Sequence, residues 1–318
     1  MSRRASVALL VVGCVLFAIS ISAVVIGGRF IGPTWRATPV PTPSATAPSA
    51  RPGSKHQAKP FDRIVIVVFE NRSLGGVLGN RSAPYFNSLA ATYATATGYS
   101  GVTHPSLPNY LALTGGTTFG VDSDCTGCWI EEPSIADRLE AAGLEWKSYQ
   151  DAMPEPCFVG SAYPYAQKHN PFIYYTAIRE DAARCAHIVP LAELAADFSS
   201  PSSTPSYSFV TPDMCHDGHD CDMAEADRWL SSFAPSLMNS PGFKSGRSLL
   251  VVTFDEGEPD SQLVFTVFAG PNVKPGYRSA AVYNHYSLLR TIEDNFGLAP
   301  LGAGDASARP MTEFFRSP

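Results

Sequence analysis

The sequence predicts an α/β fold in which a mostly parallel central sheet is sandwiched by helices. Asp62 to Phe69 (DRIVIVVF) and Ser248 to Phe254 (SLLVVTF) are short, unbroken apolar runs, the pattern of strands covered on both faces. Stretches with helical spacing alternate with such strands, which is how a helix-flanked sheet is built. Both runs also end on adjacent polar residues, Glu70-Asn71 and Asp255-Glu256, and ligands of open α/β sheets gather at the carboxyl ends of strands.

The first 60 residues stand outside that fold. Ala5 to Gly28 is 24 residues long without a charged side chain, enough to cross a bilayer. The apolar run continues through Ala23-Val24-Val25-Ile26 past the small residues Ser20 and Ser22, which favours an uncleaved anchor over a cleaved signal peptide. Residues 1–32 are therefore read as a membrane anchor or signal segment. Arg3 and Arg4 are nearly balanced by Arg29 and Arg36, so charge leaves the orientation open. Residues 33–60 are rich in Pro, Ala, Ser and Thr and cannot bury enough surface to fold; they read as a disordered linker. The folded domain spans 61–318.

Six cysteines follow Cys14. An even number beyond a membrane segment and a tether predicts disulfides in an oxidising, extracytoplasmic setting, either membrane-held or secreted, with connectivity open. Cys125 and Cys128 form a CxxC that suits zinc, but no second such pair follows. The chain of 318 residues, 45% hydrophobic and 16% charged, can bury a core without staples. Its net charge of −6, without a Lys/Arg cluster, excludes a nucleic-acid surface. The expected partner is small or lipid-borne, and a monomer is expected.

After the first strand and a turn through Gly75, Gly76 and Gly79, helical spacing covers Ala83 to Thr97. Thr103 to Tyr110 (THPSLPNY) then sets Ser106 between Pro105 and Pro108, which predicts a hydroxyl displayed on a stiff, non-repetitive segment. His104 offers a proton carrier beside it and Asn109 a neutral donor for an oxyanion. Pro133-Ser134 starts a helix over Ile135 to Ala142 that Gly143 stops, and Leu144 to Tyr149 reads as a strand. Asp151 to Pro205 is irregular. Ser206 to Val210 is a strand leading into Cys215-His216-Asp217-Gly218-His219-Asp220-Cys221. Ala224 to Phe233 looks helical, Leu263 to Phe268 is a strand, and His285 to Phe296 is an amphipathic helix stopped by Gly297.

A buried strand that ends on paired carboxylates must have its charges solvated, hydrogen-bonded or bound to metal. Glu70, Asp255 and Glu256, with the Asn71 amide and the Ser106 hydroxyl, form an oxygen-rich set suited to a divalent cation that would lower the pKa of Ser106. His216, His219 and His285 are candidate phosphate donors or acids for a leaving oxygen. Asn71-Arg72-Ser73 and Asn80-Arg81-Ser82 match the glycosylation acceptor pattern, although a buried strand end is a poor acceptor.

Taken in order, IVIVVFENRSLGGVLGN, THPSLPNYLALTGG, KHNPF, FVTPDMCHDGHD, LLVVTFDEGE, VFAGPNVKPG and YNHYSLLRTIEDNFGL resemble the phosphoesterase family of bacterial acid phosphatases and phospholipases C. The resemblance covers Phe61 to about Leu301 and is nearest to compact secreted acid phosphatases of phosphomonoesters, including phosphoinositides. It implies an alkaline-phosphatase-like sheet and makes residues 61–318 a phosphoesterase catalytic domain with a divalent metal site. By position it implies Glu70, Asn71, Ser106, Asp220, Asp255 and Glu256 as metal ligands. It likewise implies Ser106 as a nucleophile, with Asn109 the amide beside it, and matches His219 and Asp220 to the family's M-H-D; we expect a phosphoserine intermediate and His219 as the acid for the leaving alcohol. Asn71, His104, His169 and His285 are expected as phosphate ligands. Gly218 departs from the family's usual methionine, and Glu256 stands where other branches have aspartate or histidine. The implied activity is that of an extracytoplasmic, metal-dependent phosphomonoesterase on a lipid-borne or other phosphate monoester. The alternative is a phosphodiesterase of phospholipase C type using the same site.

Overall fold

The computed structural model describes residues 59–316. The anchor and nearly all of the linker lie outside the described residues, among which no helix is long and apolar enough to cross a membrane. The described strands are β1 (Arg63–Phe69), β2 (Ala94–Ala96), β3 (Tyr99–Ser100), β4 (Trp146–Gln150), β5 (Ile188–Pro190), β6 (Tyr207–Thr211), β7 (Ser248–Phe254), β8 (Thr266–Ala269), β9 (Arg278–Ser279) and β10 (Tyr283–Asn284). Eight of them form one sheet in the order β5-β4-β6-β1-β7-β8-β2-β9, while β10 pairs with β3.

The two unbroken apolar runs are β1 and β7, which lie side by side and parallel at the sheet centre. Their burial on both faces is why neither shows alternation. β8 returns antiparallel to β7 because the connection over residues 255–265 holds no crossover helix. Successive strand residues face opposite sides, and this sorts the helices into two layers. Phe69 packs on Phe86 and Trp229, from helices Pro84–Thr92 and Met223–Asn239. Phe209, level with Ile66 of β1, packs on Tyr110 from helix Ser106–Gly115, on the opposite face.

Three local expectations change. The helical spacing over Ala83 to Thr97 yields a helix that stops at Thr92, because Ala94–Ala96 is drawn into the sheet between β8 and β9. The helix expected over Ala224 to Phe233 continues to Asn239 despite Pro235, held by the buried Ala234 and Leu237. Ser106 opens a ten-residue helix instead of lying on a non-repetitive segment. Pro108 is compatible with that helix because in the first turn its missing N–H costs no intrahelical bond. The six cysteines pair as Cys125–Cys128, Cys157–Cys185 and Cys215–Cys221, as an oxidising setting requires, and leave none for zinc.

The helix that carries Ser106 is braced at its far end. Gly116 caps it at φ 73°, and a side chain there would run into Asp305. Asp305 lies beside Glu293 of helix His285–Phe296, and both are fully buried. Burial first, and the Asp305 charge second, push the Glu293 pKa up from 4.5 to about 8. Between those values the folded protein keeps a proton that the unfolded chain has lost, so this residue makes stability fall as pH rises through the window. Glu293→Gln should therefore gain about 1 kcal/mol or more over the parent at pH 8, roughly 2–4 °C in melting temperature, and little at pH 4. Parallel pH profiles of the two melting temperatures would refute this.

Candidate active site

Register builds the site. Phe69 is level with Phe254 in the parallel β1–β7 pair, so the residues that follow, Glu70 and Asp255, leave the sheet side by side at its carboxyl edge. Asn71 adopts the left-handed φ of 55°, a conformation costly for a non-glycine residue, and its backbone N–H donates to Asp255 Oδ1 at 3.0 Å. From the neighbouring β6, the loop returns Asp217, whose carbonyl accepts from Glu70 N at 2.9 Å.

The Ser106 hydroxyl donates to Glu70 Oε2 at 2.9 Å, and Tyr110, one helical turn on, donates to Glu70 Oε1. His169 completes the cluster, with Nε2 at 3.2 Å from Glu70 Oε2 and Nδ1 at 3.1 Å from Asp217 Oδ2. Its ring stacks on Tyr110 at 5.5 Å. Glu256 accepts from Asn109 Nδ2 at 3.2 Å and meets His104 Nδ1 at 2.9 Å.

Electrostatically the cluster carries too much negative charge for its burial. Burial first, then the charges of Glu70 and Glu256, hold the Asp255 carboxyl far above the usual carboxylate range. Burial, Glu70 and Asp124 push Glu256 up to about 8. Burial would push His169 down, but Glu70 and Asp217 outweigh it and raise its pKa to about 10. Glu70 is pushed up by burial and pulled down further by His169 and Tyr110, so it remains ionised.

Asp255 Oδ2, Asp217 Oδ2 and His169 Nε2 are buried and lack an aligned hydrogen-bond partner. Glu70, His169 and Asp217 each bring a ligand atom to within 4.8 Å of the others. The close-set atoms of Glu70, His169 and Asp217, with the unpartnered Asp255 Oδ2 on the adjoining strand tip, have the donor chemistry that fits a divalent cation.

Several residues expected in the site have other occupations. Asn109 is a loop clamp: its Oδ1 accepts from Val102 N and Thr103 N, and its Nδ2 is taken by Thr103 O, Pro105 O and Glu256. No donor is left for an oxyanion. His285 is fully buried, donating from Nε2 to the Asp255 carbonyl and accepting the Tyr99 hydroxyl at Nδ1, so it braces the strand tip and does not face a phosphate. Burial drives its pKa down to about 4 and keeps it neutral. His169 spends both nitrogens on carboxylates, which removes it from the phosphate ligands. Asp220 lies outside the cluster, bonded to His219 Nδ1 at 2.7 Å; the turn at Gly218 (φ 91°) sends Asp217 inward in its place. Asn71 contributes through its backbone, and its side chain makes no hydrogen bond among the described residues.

His219 has its Nδ1 proton on Asp220, and its Nε2 faces Lys168 Nζ at 3.1 Å. An ammonium only donates, so Nε2 is the acceptor of this contact. Lys168 in turn meets Asp124 Oδ2 at 3.0 Å. Asp217, Tyr110, Lys168 and Asp124 were not singled out by residue pattern. Tyr110 would have been found by reading a helix from Ser106, which the framing prolines argued against, and Lys168 as the neighbour of His169; Asp124 carried no signal.

A carboxylate-rich cluster with a helix-borne hydroxyl lies on the carboxyl rim of a helix-flanked and mostly parallel sheet, and that sheet has the fold of the alkaline phosphatase superfamily. An alkaline phosphatase superfamily protein from Vibrio parahaemolyticus matches with a TM-score of 0.56 over 79% of this chain and 71% of that one, at 14% identity. The chain belongs to the Phosphoesterase family, whose model matches residues 76–299. It is 36% identical over 258 residues to a phosphatidylinositol-3-phosphatase of Mycobacterium tuberculosis, covering 80% of this chain and 83% of the relative. It is 32% identical over 279 residues to a phosphate-repressible acid phosphatase of Penicillium chrysogenum, covering 83% of this chain but only 66% of that longer protein.

Proposed function

We propose that this protein is a phosphomonoesterase that works outside the cytoplasm through a phosphoserine at Ser106, with a divalent cation among Glu70, His169, Asp217, Asp255 and Glu256. The observation that carries this reading is the Ser106 hydroxyl, 2.9 Å from an ionised Glu70 that shares a close-set cluster with His169 and Asp217. When bound, the cation would lower the pKa of the hydroxyl and neutralise charge on the phosphate. Glu70 Oε2 accepts the hydroxyl proton, and the helix that begins at Ser106 turns its positive end towards an anion. Oγ attacks phosphorus in line, the ester P–O bond breaks, and water later cleaves the phosphoserine.

His219 remains the proposed acid for the leaving alcohol, on one condition. Its Nε2 gains a transferable proton only once its contact with Lys168 opens. The three disulfides support an extracytoplasmic location, and the name of the mycobacterial relative supports a lipid-borne monoester as substrate.

The test is a comparison of kcat/KM on the phosphate monoester and diester of one aryl alcohol. The monoester should be favoured by about 10²-fold or more, the worth of one or two charge-assisted contacts to its extra oxygen. A preference for the diester would instead make the protein an enzyme of phospholipase C type.

A further inference from the structure

We propose that Lys168 is the residue that selects monoesters over diesters, by holding the third non-bridging oxygen of a phosphate dianion. The inference rests on the phosphoesterase reading of this site and adds a residue that the reading does not use. Lys168 is anchored beside the nucleophile. One oxygen of the Asp124 carboxylate accepts from the backbone N–H of Leu107, the residue after Ser106, at 2.9 Å, and the other meets Lys168 Nζ at 3.0 Å. The ammonium thus stands one carboxylate's width from the first turn of the Ser106 helix. Its second partner is His219 Nε2, itself close to His169 with ring centres 5.8 Å apart. Nζ offers three donors, and the third has no protein acceptor among the described residues.

The charges around it give this donor a direction. The Lys168 charge bears on Glu70, Asp255 and Glu256, and the lysine is tied through Asp124 to the first turn of the helix that carries Ser106. A phosphate between the carboxylate cluster and Lys168 would meet the ammonium through its unused donor. A monoester dianion presents a charged oxygen there, whereas a diester presents a neutral ester oxygen and its substituent, which an ammonium does not reward. Asp124 acts as a positioning residue, because it fixes Lys168 relative to Ser106 and does not itself face the phosphate.

The experiment is Lys168→Met with Lys168→Arg, each assayed on an aryl phosphate monoester and on a bis-aryl phosphate. The diester is measured as a substrate and, in parallel, as a competitive inhibitor of monoester turnover. Lys168→Met should lower monoester kcat/KM by about 10²-fold and weaken inhibition by inorganic phosphate to a similar degree. Diester turnover or inhibition should change by less than about threefold, and Lys168→Arg should retain most of the monoester preference. Equal losses on both esters would reduce Lys168 to a structural ion pair and overturn the proposal, as would no loss on either. If Lys168→Met fails to fold, Lys168→Arg decides the matter: a lost monoester preference in that folded variant also overturns it. A parent enzyme that prefers the diester would refute the underlying monoesterase reading instead, and this is seen before any variant is made.

Discussion

Ser106→Ala should lower kcat on an aryl phosphate by about 10⁴-fold or more, with a melting temperature within a few degrees of the parent. Ser106 is 2% exposed and its hydroxyl has one protein partner, Glu70 Oε2. Removing it takes one donor from that oxygen, which keeps its 3.2 Å contact with His169 Nε2, so the cost is about 1 kcal/mol. The helix is otherwise spared, because Ser106 lies inside its first turn and supplies no side-chain cap. Tyr110 still holds the other Glu70 oxygen. Acid quenching of the parent during turnover of a radiolabelled monoester should trap label on Ser106, and none should be trapped in the variant. Activity within tenfold of the parent would remove Ser106 from the nucleophile's role.

The second large effect concerns Asp255. Asp255→Asn should abolish turnover while leaving the protein as stable as the parent without cation, or more so. The carboxyl is fully buried next to Glu70 and Glu256, and Asn71 N–H still finds an acceptor in an asparagine oxygen. An amide of the same shape relieves the like-charge repulsion that burial makes expensive. Asparagine surrenders the charge that a divalent cation needs. In the parent, chelation should lower the melting temperature in proportion to the binding energy lost, and readdition of divalent metal should restore it. The Asp255→Asn variant should lose that response. A parent whose activity and melting temperature ignore exhaustive chelation would refute a cation at this site.

Much of the scaffold was legible because it depends on local chemistry. β7 is the predicted run Ser248–Phe254 to the residue, since a strand buried on both faces has no polar position to blur its ends. Helix His285–Phe296 was legible for the same kind of reason: Asn284 and Ser287 form a capping box and Gly297 closes the other end at φ 68°. The strand β2 was not legible, because an Ala/Thr-rich stretch carries weak preference and its partners β8 and β9 decide the outcome.

The site divides along the same line. Sequence alone determined that polar pairs follow β1 and β7 and that a serine is framed by prolines, because strand ends and proline constraints are properties of neighbouring residues; that the serine reaches Glu70 was decided by the fold. Tertiary structure decided that Asp217 enters the cluster in place of Asp220, that His169 and His285 turn to carboxylate and carbonyl, and that Asp124 ties Lys168 to the serine helix. Those choices turn on where loops cross the sheet rim, and the direction of a loop side chain is set by packing and hydrogen bonds from residues distant in the chain.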